Sequence, residues 1–225
     1  MADRQGEPAR RGLLVDWGGV MTTDLLASFR AFCEAEGLDP HALALAFRGD
    51  PQAQELLFAF EEGRLDEGAF EPRLAALLGI ERHEGLIERL FAGSGLDATM
   101  VAAVRGARRA GVRTGLISNS WGTGSYPRPL LAELFDGVVI SGELGIRKPA
   151  TRMYELGAQA VGLAPSECVF VDDLPFNLPP AQELGMAVVR HRRAEETVEQ
   201  LERLLGVTLD VVAGAKPIRA PARAD

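Results

Sequence analysis

Four short stretches of the chain hold residue types that could do chemistry together. In LLVDWGGVMTT (13–23) an apolar run delivers Asp16, and Gly18 and Gly19 then allow a tight, irregular turn. In LISNS (116–120) Ser118 and Asn119 end another apolar run. A hydroxyl, an amide and neighbouring backbone N–H groups can hold phosphate oxygens. In LGIRKP (144–149) Lys148 stands at the junction with a helical pattern, where an ammonium can sit as a point charge beside an anionic centre. In VFVDDLPFN (169–177) two adjacent carboxylates, Asp172 and Asp173, follow an apolar run, and Asn177 could tie the loop. Such a pair is costly unless a cation or hydrogen bonds offset the repulsion. Mg²⁺ takes hard oxygen ligands and commonly one or two protein carboxylates. Alone, each stretch also fits something plainer: a turn cap, turn chemistry, a solvated lysine, an acidic surface loop. The combination is more specific, because Asp, Ser, Lys and Asp-Asp recur in that order at element boundaries.

Those residues need a frame, and the sequence supplies one. Apolar runs at 12–16, 113–118, 137–141, 168–172 and 187–190 alternate with helical patterns at 97–110, 127–135, 150–162, 178–184 and 194–205. Strands that are apolar throughout, alternating with helices, imply a parallel sheet covered on both faces. Sites in such sheets form at the carboxyl ends of strands. The polar residues there are Asp16, Ser118, Ser141 and Asp172, and the strands of Asp16, Ser118 and Asp172 are expected to be central. Residues 21–95 break the alternation with consecutive helical patterns, several ending near Gly. Asp24 or Thr23 suits the first cap and Asp66 a later one, with Phe70 and Leu74 on an apolar face. The expected organisation is an α/β core over 12–20 and 96–206, an inserted α-helical cap over 21–95, and tails at 1–11 and 212–225.

Composition narrows the classes. The 225 residues carry a formal net charge of −8, with 47% hydrophobic and 25% charged residues. That balance is globular and disfavours nucleic-acid binding, which needs clustered Lys and Arg. No apolar run reaches the roughly 18–20 residues of a membrane span, and the polar N-terminus lacks the apolar segment of a signal peptide. Cys33 and Cys168 are expected to be reduced packing residues in a cytoplasmic protein. Trp17 and Trp121 flank the proposed pocket, and Trp17 is expected to contact substrate. His41, His83 and His191 show no metal spacing and are expected at the surface. Phe58, Phe60 and Phe70 are expected in the cap core, and Arg48 in solvent.

The four stretches together resemble the motifs of the haloacid dehalogenase (HAD) superfamily over roughly residues 12–206. The helical insert after the first strand resembles that family's type-I cap on a Rossmann-like core. DWGGV and RKP are most similar to the phosphatases near the epoxide hydrolase N-terminal domain. The resemblance implies that Asp16 is a nucleophile attacking a small phosphorylated metabolite, that Ser118 and Lys148 bind the phosphoryl group with Asn119 beside them, and that Lys148 is catalytic. It implies Mg²⁺ held by Asp16, the Gly18 backbone carbonyl, Asp172 and Asp173. At one position the chain departs from the usual Asp-x-Asp pattern of these phosphatases: Gly18 stands where a second carboxylate would protonate the leaving group. General acid–base help of that kind is typically worth ~10²–10⁴-fold. Two other readings follow from that gap, a haloacid dehalogenase-type hydrolase and a scaffold that binds without turnover. The acidic pair Asp172–Asp173 argues against metal-free dehalogenation.

Overall fold

In a computed structural model the protein is described over residues 10–209 and 211. The chain runs β1 (Gly12–Val15), α1 (Leu25–Ala35), α2 (Ala42–Gly49), α3 (Pro51–Glu61), α4 (Glu67–Leu78), α5 (Leu86–Phe91), α6 (Ala98–Arg109) and β2 (Arg113–Ser118). It continues with α7 (Arg128–Leu134), β3 (Gly137–Ile140), α8 (Ser141–Leu144), α9 (Thr151–Ala160), β4 (Cys168–Asp172), α10 (Leu178–Glu183), β5 (Ala187–Arg190) and α11 (Ala194–Leu205). The five expected strand runs are the five strands, within a residue at their ends. They form one sheet in the order β3-β2-β1-β4-β5, with every neighbouring pair parallel.

The strands are largely apolar, with Arg113 and Arg190 exposed at strand ends, because the sheet is covered on both faces. Side chains alternate across it: Leu13, Val15, Leu116, Val169 and Val171 pack with Met100, Val104, Leu131 and Leu201 of α6, α7 and α11. Leu14, Ile117, Cys168 and Phe170 face the other way, onto Met153, Tyr154 and Ala158 of α9 and Ala181 of α10. Because β1 lies between β2 and β4, the strand ends at Asp16, Ser118 and Asp172 are neighbours. Ser141, expected to end a strand, instead opens α8.

Helices α1–α5 build a separate apolar core, with Phe32, Leu43, Leu56, Phe60, Phe70, Leu74 and Leu90 buried together. Local signals explain the helix starts: Asp24, Asp50 and Asp66 each accept a backbone N–H from the first turn of α1, α3 and α4. Thr23 is not the cap. Its Oγ1 accepts the Gly95 N–H at 3.0 Å, and its own N–H donates to the Gly95 carbonyl at 2.7 Å. With the Thr22–Leu96 bridge, this pairs the segments that enter and leave the helical block. No helix among the described residues is long and apolar enough to cross a membrane.

Two further expectations about single residues are overturned. His191 is buried rather than at the surface, because it follows β5 and its Nδ1 bonds to Thr197 Oγ1 of α11 at 2.9 Å. Phe58, expected in the cap core, lies outside the apolar core of the helical block. Its ring carries the Arg147 guanidinium, 4.0 Å from the centroid. The tails expected at 1–11 and 212–225 lie outside the described residues except for Arg10 and Arg11. Those two donate backbone N–H groups to Leu204 and Glu167 carbonyls.

Candidate active site

The site begins where β1 ends. The Asp16 N–H still donates to the Val171 carbonyl at 2.9 Å, so the ladder with β4 holds Asp16 in place after the strand proper stops. Gly19 then turns at φ 74°, a left-handed conformation that favours glycine. Any side chain there would also meet Asp173: a Cβ would lie 2.7 Å from Asp173 Oδ2. The turn therefore brings the backbone directly against the acidic pair. Gly18 stays outside the left-handed region, and a Cβ on it would lie 2.7 Å from Leu25 Cδ1 at the start of α1.

Lys148 reaches the same point from the loop between α8 and α9. Its buried ammonium lies 2.8 Å from Asp16 Oδ1 and 2.6 Å from Asp172 Oδ2. Asp172 is further fixed by the Leu174 N–H at 2.9 Å and by Asn177 Nδ2, which donates to both carboxylate oxygens at 3.0 and 3.1 Å. Asn177 thus ties the loop. Its carbonyl accepts the Tyr154 hydroxyl at 2.7 Å, so α9 braces it in turn.

Asp16, Asp172 and Asp173 each present a carboxylate oxygen within 4.8 Å of the others. Burial raises the Asp16 carboxyl to about 8; Lys148 opposes the shift, while Asp172 and Asp173 add to it. Burial, then the Asp172 charge, raises Asp173 to about 6, again against Lys148. Burial alone would lower the Lys148 ammonium, but Asp16 and Asp172 outweigh it and hold the group charged. Asp173 Oδ1 is buried with no hydrogen-bond partner among the described residues. Three convergent carboxylates against one ammonium leave an excess of negative charge, and the orphaned oxygen needs a partner. A divalent cation with a preference for hard oxygen ligands satisfies both requirements, so the donor set fits Mg²⁺.

Ser118 ends β2 with its hydroxyl sharing a 2.7 Å hydrogen bond with Tyr126. Asn119 does not present a free amide to a phosphate. Its Oδ1 accepts the Lys148 N–H at 2.8 Å, and its Nδ2 donates to the Lys148 carbonyl at 3.1 Å and to Glu61 at 3.3 Å. Trp17 is half-buried against the α6–α7 side of the sheet, its ring 5.9 Å from that of Tyr126. Trp121 turns away into the helical block, 5.5 Å from Phe29 and 5.4 Å from Phe91.

Residues not singled out from the sequence complete the surroundings. Glu61, at the end of α3, is buried and ion-paired with Arg147, and burial, partly opposed by Arg147, raises its carboxyl. Arg147 was visible as the neighbour of Lys148 in RKP. Nothing in the sequence separates Glu61 from Glu62. Tyr126 follows a Gly-rich turn and carries no pattern of its own.

A family model for haloacid dehalogenase-like hydrolases matches residues 11–185. Acyl-CoA dehydrogenase family member 10 of Mus musculus is 37% identical over 123 residues, covering 53% of this chain and 12% of that protein. Bifunctional epoxide hydrolase 2 of Rattus norvegicus is 27% identical over 54% of this chain and 23% of its own length. Phosphatase MT3486 of Mycobacterium tuberculosis is 30% identical over 51% of this chain and 55% of its own. The chain thus spans about half, or far less, of these curated relatives. In fold, it resembles a predicted HAD-like family hydrolase from Porphyromonas gingivalis at TM-score 0.68 and 24% identity, over 88% of this chain and 98% of that one. The parallel sheet, the inserted helices, the converging acidic residues and the match over most of the chain agree: this protein belongs to the haloacid dehalogenase-like hydrolases.

Proposed function

We propose that the protein is a Mg²⁺-dependent phosphatase that hydrolyses a small phosphorylated metabolite through an aspartyl phosphate at Asp16. One observation carries the reading. A carboxylate at a strand end shares a lysine with an acidic pair that has an unpartnered buried oxygen. Kinship with a protein named as a phosphatase supports the same reaction type, and two buried, unpaired cysteines suit the cytoplasm.

The chemistry follows from the residues. The Asp16 carboxylate attacks phosphorus, an Asp16 oxygen–phosphorus bond forms, and the ester P–O bond breaks to release the alcohol oxygen. Lys148, Ser118 and nearby backbone N–H groups stabilise the charge on the phosphoryl oxygens. Water then cleaves the acyl phosphate, releasing inorganic phosphate and regenerating the Asp16 carboxylate. Asp16, Asp172, Asp173 and the Gly18 carbonyl would hold Mg²⁺, which when bound offsets the repulsion between nucleophile and phosphoryl group. Helices α1–α5 act as the cap that limits access and sets substrate choice.

The test is a screen of small phosphate esters with Mg²⁺ and with chelator, for wild type and Asp16→Asn. Mg²⁺-dependent phosphate release is expected, and Asp16→Asn should remove at least ~10³-fold of it, since an amide is a poor nucleophile. Asp172→Asn together with Asp173→Asn should abolish the stimulation by Mg²⁺. A rate indifferent to chelator would contradict the metal, and a wild type that binds phosphate esters without releasing phosphate would favour the scaffold reading, for which Gly18 is the motivating residue.

A further inference from the structure

The cap and the candidate site meet at Glu61, and the contacts there are more than packing. Glu61 closes α3, is 6% exposed, and sends its side chain out of the helical block towards the core loops. Its Oε2 accepts from Arg147 Nε and from Asn119 Nδ2. Its backbone carbonyl accepts the Ser141 hydroxyl, and Ser141 Oγ accepts the Ser120 N–H at 2.8 Å. One turn earlier on α3, Phe58 lies under the Arg147 guanidinium. Two residues later, Gly63 passes so close to the Gly142 carbonyl that a Cβ would come within 2.3 Å of it. The end of α3 is therefore docked through charge, ring stacking and backbone at once.

Asn119 connects this dock to the chemistry. The same amide that donates to Glu61 grips Lys148 by both its N–H and its carbonyl. Lys148 carries the ammonium shared by Asp16 and Asp172. Two residues after Asn119, the Trp121 ring enters the cap's aromatic cluster between Phe29, Phe70 and Phe91. The 119–121 loop is thus anchored in the cap at one end and holds the lysine at the other. An amide side chain can grip a backbone N–H and carbonyl together in only one orientation. Glu61, accepting at Nδ2, reinforces that orientation.

We propose that Glu61 is a positioning residue for Lys148, acting through Asn119, so that a cap side chain sets the placement of the lysine in the phosphate site. The consequence for catalysis rests on the phosphatase reading; the coupling itself does not. With Glu61 removed, the Asn119 amide loses one of its restraints, Arg147 loses its partner, and the Lys148 backbone gains freedom. An ammonium displaced by even a fraction of an ångström stabilises the transferring phosphoryl group less well.

The experiment compares wild type, Glu61→Gln, Arg147→Gln and the control Glu62→Gln, whose carboxylate pairs with Arg64 instead. Two quantities are measured: hydrogen exchange of the Lys148 amide, and Mg²⁺-dependent hydrolysis of p-nitrophenyl phosphate. Glu61→Gln and Arg147→Gln should speed exchange at Lys148 and lower kcat at least ten-fold, with a smaller change in KM and little change in melting temperature. Glu62→Gln should match wild type in both. Unchanged exchange at Lys148 in a folded Glu61→Gln protein overturns the proposal, as does faster exchange with unaltered kcat. If Glu61→Gln does not fold, Glu61→Asp keeps the charge but withdraws the acceptor from Asn119 Nδ2, and it decides by the same criteria. A wild type inactive on every phosphate ester would end the phosphatase reading, and exchange at Lys148 would still decide the coupling.

Discussion

Gly18 is the residue on which the chemistry of this chain should differ from that of an Asp-x-Asp phosphatase. In the proposed reaction, with no carboxyl at that position, the leaving oxygen departs largely unprotonated, so the rate of phosphoryl transfer should depend steeply on leaving-group pKa. Aryl and acyl phosphates should outpace alkyl phosphates in a series measured under single-turnover conditions. Gly18→Asp is a practical test, because the backbone there is outside the left-handed region and the obstacle is the end of a half-buried leucine side chain, Leu25. The variant should flatten the dependence and speed alkyl esters; a flat dependence in wild type would mean that another group supplies the proton. The neighbouring Gly19 allows no such change, since its positive φ and the nearness of Asp173 both exclude a side chain. At this scale the sequence was informative where a polar residue ended an apolar strand, although Ser141, read the same way, opens α8. Asp16, Ser118 and Asp172 stand out for that reason, and Asp173 and Lys148 adjoin element boundaries. Glu61 did not stand out. It and Glu62 are chemically the same, and only the docking of α3 against Gly142 and Arg147 makes one buried and the other a partner of Arg64. Asn119 was legible as a candidate residue but its contacts were not, because its partners are a backbone 29 residues away and the Glu61 side chain of α3.

Among the elements, the joint between β5 and α11 holds a buried histidine that the chain's spacing gave no reason to bury. His191 is lowered below its usual range by burial, against the weaker pull of Asp97 and Glu195, and its Nδ1 is bonded to Thr197. A histidine whose folded pKa is depressed is favoured in its neutral form. As pH falls through the unfolded value of about 6.5, the unfolded chain takes up the proton first and stability declines. Melting temperatures between pH 7.5 and 5.5 should therefore fall more steeply for wild type than for His191→Gln. Equal slopes would show that the imidazole titrates alike in the folded and unfolded chain. The comparison with the variant matters because Asp16 and Asp173, raised by burial, act in the opposite sense over the same range. Helices α1–α5 were readable from their Asp caps and apolar spacing. Phe58 was misplaced because helical spacing says which side chains share a face but not which of them extends beyond the block to meet Arg147.

For the whole molecule, the sheet order puts the ends of β1, β2 and β4 side by side, and the helical block packs over the loops that leave them. The parallel sheet was legible because the strands are largely apolar on both faces and every crossover is helical, a pattern with few solutions. The docking of the block was not, because it depends on Glu61, Trp121 and Gly63, which meet residues distant in sequence. If the block acts as the proposed cap, one held that closely should admit small esters and exclude large ones. Small phosphorylated metabolites are expected to be hydrolysed in preference to folded phosphoproteins, and a phosphoprotein turned over as fast as the best small ester would contradict the cap's role.

The central claim is that Asp16 carries the phosphoryl group between the two half-reactions. It is tested most directly by mixing the enzyme with an aryl phosphate and Mg²⁺, quenching in acid within the first turnover, and weighing the peptide that contains Asp16. This peptide should gain the mass of one phosphoryl group, the gain should disappear when the reaction is chased to completion, and Asp16→Asn should never show it. Rapid phosphate release by wild type with no label on Asp16 at any time in the first turnover, together with undiminished release by Asp16→Asn, would contradict it.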